Sequence, residues 1–173
     1  MIYRVALALG LLLLTGCTPD TGSSLCPGDR PLRPVYVINP ADAAQIQFSV
    51  LDGVNSLRRA AGLQTLIFNA KLNAAAATHA RDMSVQNRAW HFGSDGSSPL
   101  DRMERVGYEG TLLGENISET FESELETLAA WMVTPATRTI ILAPEAQEMG
   151  FSWYQEPGGK IWWTLVTGIE APS

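Results

Sequence analysis

Apolar residues recur at helical spacing along most of this chain and give way to strand chemistry only in its last quarter. That change of period limits the fold more than any other feature. In "NPADAAQIQFSVLDGVNSLRRAAG", Asn39 reads as an N-cap and Pro40 as the first helical residue. Apolar residues at 43, 46, 50, 54, 57 and 61 follow the helical period, and Gly62 ends the run. A second helix is predicted over "NAKLNAAAATHARDMSVQNR", capped by Asn69, with Leu72, Ala76, Ala80 and Met83 as its stripe. Its alanines ask for close approach of a neighbour. "HFGSDGSSP" is a loop, "LDRMERV" a short helix leading to a turn at Gly107, and "ETLAAWMV" part of a further helix capped by Thr120 or Ser123. "EMGFSWYQ" and "KIWWTLVTGI" are rich in aromatic and β-branched residues, with "EPGG" as the turn between them, which predicts a β-hairpin. Helices first and a hairpin last give an α+β domain with helices packed on the sheet.

The first residues stand apart from that domain. "MIYR" supplies a positive charge and "VALALGLLLL" an apolar run too short to span a bilayer, the pattern of a signal peptide. "LTGC" follows, and small residues before a cysteine at this point resemble the lipobox of bacterial lipoproteins. That resemblance implies removal of residues 1–16, lipid attachment at Cys17 and acylation of the new terminus, giving two or three chains where one would hold only weakly. Residues 17–34 hold four of the ten prolines and read as a tether, leaving 35–173 as the folded domain. With Cys17 carrying lipid, Cys26 is either free or paired between chains. Thr18 follows Cys17, with no Asp to suggest retention at an inner membrane, so the expected location is a bacterial cell envelope and, in a host with two membranes, the outer one. The chain has a net charge of −6, and loss of Arg4 leaves 11 basic against 18 acidic residues. Such a balance repels phosphate backbones and sets nucleic acid aside as a partner.

Only two histidines are available for chemistry, His79 and His91. His79 lies seven residues after Leu72, at the edge of its helix's apolar stripe, and reads as a hydrogen-bonded histidine at the core boundary. His91 sits in a polar loop, where a side chain can be aimed at a ligand. Ser94, Ser97 and Ser98 lie close in sequence, but a serine nucleophile also needs an acid to orient its base. No phosphate-binding glycine loop, nucleophile elbow or HExxH helix is present. Between 106 and 137 stand six glutamates and no lysine or arginine, which reads as a solvated acidic loop and a helix N-terminus. Glu115, in "GENIS", is the exception. Leu112, Leu113 and Ile117 around it predict partial burial, and a buried carboxylate needs a partner, for which His91 is the natural choice. Glu115 is therefore expected to accept hydrogen bonds from backbone amides and from His91, and Asn116 to satisfy backbone groups in the same turn.

In order, these segments resemble bacterial CAP domains, the SCP or cysteine-rich secretory protein superfamily. "VNSLRRAAGLQTLIFNAKLNAAAATHARDM" is similar to its first two helices, "HFGSDGSSPLDRMERVGYEG" to its histidine loop, "GENIS" to its GENI segment, and "WMVTPATRTIIL" to its W-M-x-S-P-G-H-R-x-x-I-L segment. The likeness runs from about residue 42 to 169. It implies a three-layer α-β-α sandwich with a central groove, where members place two histidines and one or two glutamates, some of them around zinc or another divalent ion. By position His91 is the first histidine and Glu115 the GEN glutamate; Thr137, just before Arg138, stands where the second histidine belongs. Zinc usually takes three protein ligands, and His91 and Glu115 supply two. Asn116 and Arg138 fall at the groove. Trp153, Tyr154, Trp162 and Trp163 alternate faces in the hairpin, so that half of them line a groove and half the core.

The reading that follows is a lipid-anchored envelope protein whose groove binds a lipid or an extracellular partner without catalysis, its metal site degenerate and its membrane contact made through Cys17. Two alternatives stand beside it: a metal-assisted hydrolase or protease using His91 and Glu115, and a purely structural lipoprotein.

Overall fold

A computed structural model describes residues 36–119 and 121–171. The signal peptide, Cys17, the tether with Cys26, and Thr120 as a cap lie outside the described residues. The predicted helices form where the capping residues place them. Asn39 accepts from the Ala41 amide at 3.0 Å and opens a single 3-10 turn, Pro40–Asp42, which runs into α1, Ala43–Ala60. Gly62, at φ 72°, takes the left-handed conformation that ends the segment. The Asn69 side chain accepts from the amides of Lys71 (2.8 Å) and Leu72 (3.1 Å) to start α2, Ala70–Gln86. Pro99 and a reciprocal Ser98–Asp101 capping box start α3, Pro99–Arg105. Of the two caps considered for α4, Glu124–Val133, Ser123 accepts from the Glu126 amide at 3.3 Å. Pro135 then begins α5, Pro135–Ile141, a short helix that the periodicity did not separate from α4.

Four strands make one sheet: β1, Ile67–Phe68; β2, Thr111–Glu119; β3, Glu148–Gln155; and β4, Ile161–Ile169. Their order is β1-β3-β4-β2, with β1 parallel to β3 and the other pairs antiparallel. The predicted hairpin is β3–β4. The segment read as an acidic loop is corrected: residues 111–119, "GENIS" included, are the strand β2 at the open side of the hairpin. Its glycine, acid and amide obscure the pattern of a strand, and its pairing to β4 restores it.

Helices cover both faces of the sheet, giving the α-β-α sandwich. β4 shows the division, because successive side chains point to opposite faces. Trp163 and Leu165 pack with Ile46, Val50, Leu128, Trp131 and Ile141 of α1, α4 and α5. Trp162 packs with Ala80 and Met83 of α2, and Val166 with Leu72, Ala76 and Met103 of α2 and α3. Both tryptophans are fully buried, so they do not line an open groove. The alanines of α2 allow the close approach expected of them, and Gly150 of β3 completes it: a Cβ there would run into the backbone of Leu72 and Asn73. Neither backbone can swing aside as a side chain would. Gly150→Ala is accordingly expected to destabilise the domain by about 3 kcal/mol or more, read from the urea midpoint. A midpoint unchanged from that of the parent would contradict this packing.

Candidate functional site

β2 carries the centre of the site, and strand alternation decides what each of its residues meets. Glu115 lies opposite Val166, whose side chain packs against α2, so its carboxylate points into the layer of α2 and α3. Asn116 lies opposite Leu165 and points the other way, toward α5. Two adjacent residues of one motif thus serve opposite faces of the sheet.

Three side chains meet at the Glu115 carboxylate. His91 Nδ1 lies 2.9 Å from Oε1. Arg102 Nη2 bridges both oxygens, at 2.9 Å to Oε1 and 2.7 Å to Oε2. His79 Nε2 lies 3.6 Å from Oε1 and 2.9 Å from the Trp90 carbonyl oxygen. The Glu115 and Arg102 side chains are each 3% exposed, His79 is fully buried, and His91 is half exposed. Since an ionised carboxylate only accepts, His91 donates through Nδ1–H, which leaves Nε2 as its unprotonated nitrogen when the ring is neutral. His79 donates through Nε2–H to Trp90, and its Nδ1 is buried without a hydrogen-bond partner among the described residues.

The surrounding elements hold these groups in place. α3 delivers Arg102, whose guanidinium also donates to the carbonyls of His91 (3.0 Å) and Ser97 (3.4 Å). Asp82 of α2 pins the loop by accepting from Ser94 through its amide (2.7 Å) and its hydroxyl (2.6 Å). Trp90 donates from its indole to Gln86 at 2.7 Å, and the Arg88 guanidinium lies over its ring at 3.9 Å. The Ser94 and Ser98 hydroxyls are committed to Asp82 and Asp101, which gives them places in loop and cap geometry rather than beside His91.

Electrostatics follow from the contacts. Burial alone pushes the Glu115 carboxyl up, but the His91 hydrogen bond and the Arg102 guanidinium outweigh it and leave the group below its ordinary value, ionised at neutral pH. Burial pushes His79 below its ordinary 6.5 against the pull of Glu115, so it is neutral at pH 7.

Several expected placements change. Glu115 accepts from side chains, not from backbone amides, because its partners come from another layer of the sandwich. His79, read as a boundary histidine, is a full member of the cluster. Arg102 lies in the segment similar to the family's histidine loop, but no spacing in the sequence places it at Glu115; the packing of α3 against β2 does. Asn116 is neither in a turn nor open to a groove: it is fully buried and donates to the Thr137 carbonyl at 2.9 Å, tying β2 to α5. The Thr137 hydroxyl bonds to the Trp131 carbonyl (2.6 Å) and the Thr134 carbonyl (3.1 Å), and Arg138 is exposed on the last turn of α5.

The residues present do not fit a divalent ion well. His79, His91 and Glu115 are the right donor types, yet no group of three or more such side chains among the described residues is disposed to hold a metal. Both Glu115 oxygens already face a guanidinium. Beside Arg102 lies a cavity of about 320 Å³ between α2, the loop and α3, with Ala75, Val85 and Val106 next to Arg81 and Arg105.

Residues 51–167 match the profile of the cysteine-rich secretory protein family. The chain is 28% identical over 123 residues to an uncharacterized protein of Bacillus subtilis, YkwD, a match covering 71% of this chain and 47% of the relative. It therefore spans about half the length of the curated relative it matches. Among solved structures it is similar to an outer surface protein of Borrelia burgdorferi, with a TM-score of 0.68 and 16% identity over 78% of this chain and 97% of that one. An extracellular protein containing an SCP domain from Bacillus anthracis gives a TM-score of 0.69 and 20% identity over 78% of this chain and 45% of that one. At these identities the likeness speaks for the fold.

Proposed function

Because the chain belongs to the cysteine-rich secretory protein (CAP) family, we propose that it is a lipid-anchored module of a bacterial cell envelope that binds its ligand without catalysis. The observation that carries this reading is the state of Glu115: its side chain is 3% exposed and both oxygens are engaged by Arg102. A general base needs a free lone pair within reach of its proton, and Glu115 presents none at the surface. The cavity beside Arg102 suits an apolar ligand with an anionic end: its aliphatic walls are set next to Arg81, while the two acids of its lining, Asp82 and Asp95, are engaged by Ser94 and Arg105. Anchoring rests on "LTGC" and Cys17. The envelope location is supported by the outer-surface and extracellular descriptions of the structural relatives.

One experiment addresses both halves. The full-length protein should sediment with membranes, and Cys17→Ser should move it to the soluble fraction. Organic extracts of that released variant, examined by mass spectrometry, should contain an apolar anion that is lost in Cys17→Ser, Val85→Asp. A Cys17→Ser chain that stays with membranes would refute the anchor, and an empty extract would favour a purely structural lipoprotein.

One arrangement favours the hydrolase as a second reading: Glu115 holds His91 by Nδ1, leaving Nε2 on a half-exposed ring. That is how a carboxylate orients a histidine base. Peptide hydrolysis abolished by His91→Ala, in protein of unchanged stability, would move the assignment to this reading.

A further inference from the structure

We propose that Arg102 is the site's own counter-cation, a covalently attached positive charge occupying the place a divalent ion would take between Glu115 and the two histidines. This deepens the reading of a non-catalytic site with a degenerate metal centre, and rests on it.

Glu115, His91 and His79 supply oxygen and imidazole donors of the kind zinc takes, gathered within 3.6 Å of one carboxylate oxygen. A buried carboxylate requires a compensating charge, and here Arg102 Nη2 provides it to both oxygens. A guanidinium stays protonated at any physiological pH, so this cation does not leave as a lysine's charge can. Nor is it free to swing out. The His91 carbonyl accepts from the same Nη2 and the Ser97 carbonyl from Nη1, and the capped, proline-started α3 fixes its backbone. An ion entering at Glu115 would meet a fixed positive charge at hydrogen-bond distance, in surroundings of low dielectric where like charges repel most.

Thr137 then becomes secondary. Its helix lies on the face of the sheet opposite Glu115, joined to β2 through Asn116, and its hydroxyl is satisfied by the carbonyls of Trp131 and Thr134. A histidine introduced there would stand across the sheet from the carboxylate and add no ligand beside it.

The test is calorimetric zinc titration of the full chain carrying Cys17→Ser and Cys26→Ser, so that neither lipid nor thiol contributes. This parent is compared with Thr137→His, Arg102→Met, and Arg102→Met combined with Glu115→Gln. The parent and Thr137→His are expected to show no saturable binding at this site. Arg102→Met, with Glu115, His91 and His79 left as donors, should bind at least about a hundredfold more tightly than the parent, and lose that gain with Glu115→Gln. A folded Arg102→Met that binds no zinc overturns the proposal. So does saturable binding by Thr137→His that Glu115→Gln abolishes, an arm that needs no change at Arg102 and stands if the Arg102 variants fail to fold. Binding by Thr137→His alone leaves the non-catalytic reading standing. Tight zinc binding by the parent through His91 removes both.

Discussion

Arg102→Met is expected to lower stability by about 3–5 kcal/mol, a large part of the total for a domain of this size. The reason is what the substitution leaves behind. Glu115 stays ionised in a layer of the sandwich where its side chain is 3% exposed, with half-exposed His91 and neutral His79 as its remaining neighbours. Glu115→Gln should cost a comparable amount by stranding the guanidinium. The double variant Arg102→Met, Glu115→Gln removes both charges together and should recover much of the loss, because a buried pair is often replaced by neutral groups at little net cost. Urea unfolding of the four proteins measures the coupling directly. Single effects that merely add, with an interaction below about 0.5 kcal/mol, would show that the two groups are independent. The same contacts set the acid response. His79 and Glu115 both lie below their ordinary values of 6.5 and 4.5 in the folded protein. The unfolded chain therefore binds more protons, and the stability these groups contribute is present above those values and is lost as pH falls. Wild-type stability should begin to decline below about pH 6.5 and fall further below about 4.5. In Glu115→Gln the second stage should shrink.

Arg58→Met is expected to be at least as damaging, at about 4 kcal/mol or more. Arg58 is fully buried on α1 and spends its guanidinium on backbone oxygens: Gln64 at 2.7 Å, Ile141 and Ala143 at 2.9 Å each, and Ala146 at 3.1 Å. It thus closes the end of α5 and the segment before β3 against α1. Methionine matches much of the volume but leaves four carbonyls to find water or go unpaired, each at about 1–3 kcal/mol if buried. Arg58→Lys should rescue little, since an ammonium is a point charge and cannot span a fork of four acceptors. The measurement is again the urea midpoint, with near-ultraviolet circular dichroism reporting on Trp131 and Trp163 in the adjoining core. A loss under about 1 kcal/mol for Arg58→Met would show that the carbonyls are readily rehydrated and that Arg58 is not a structural clamp.

Helix positions were legible wherever local chemistry sets them. Asn39 and Asn69 cap the segments they were expected to cap, Ser123 is the one of two candidates that caps α4, and "EPGG" turns the hairpin between β3 and β4. Capping and turn formation involve residues within a few positions of one another, so the chain states them locally. β2 was not legible because "TLLGENISE" neither alternates cleanly nor avoids Gly, Asn and Glu, and only pairing with β4 makes it a strand. Once it is a strand, Glu115 and Asn116 must part to opposite faces, and the expectation that they share one turn fails.

The site divides in the same way. The likeness of four ordered segments pointed to the family, the sandwich and the pairing of His91 with Glu115, all properties of residue type and order. What occupies the carboxylate was decided by the tertiary structure alone. Arg102 lies 13 positions from Glu115 and His79 lies 36, on separate helices that meet only when the sheet is covered. No spacing rule connects them; burial does, because an ionised carboxylate removed from water must be met by whatever cation the fold brings to it.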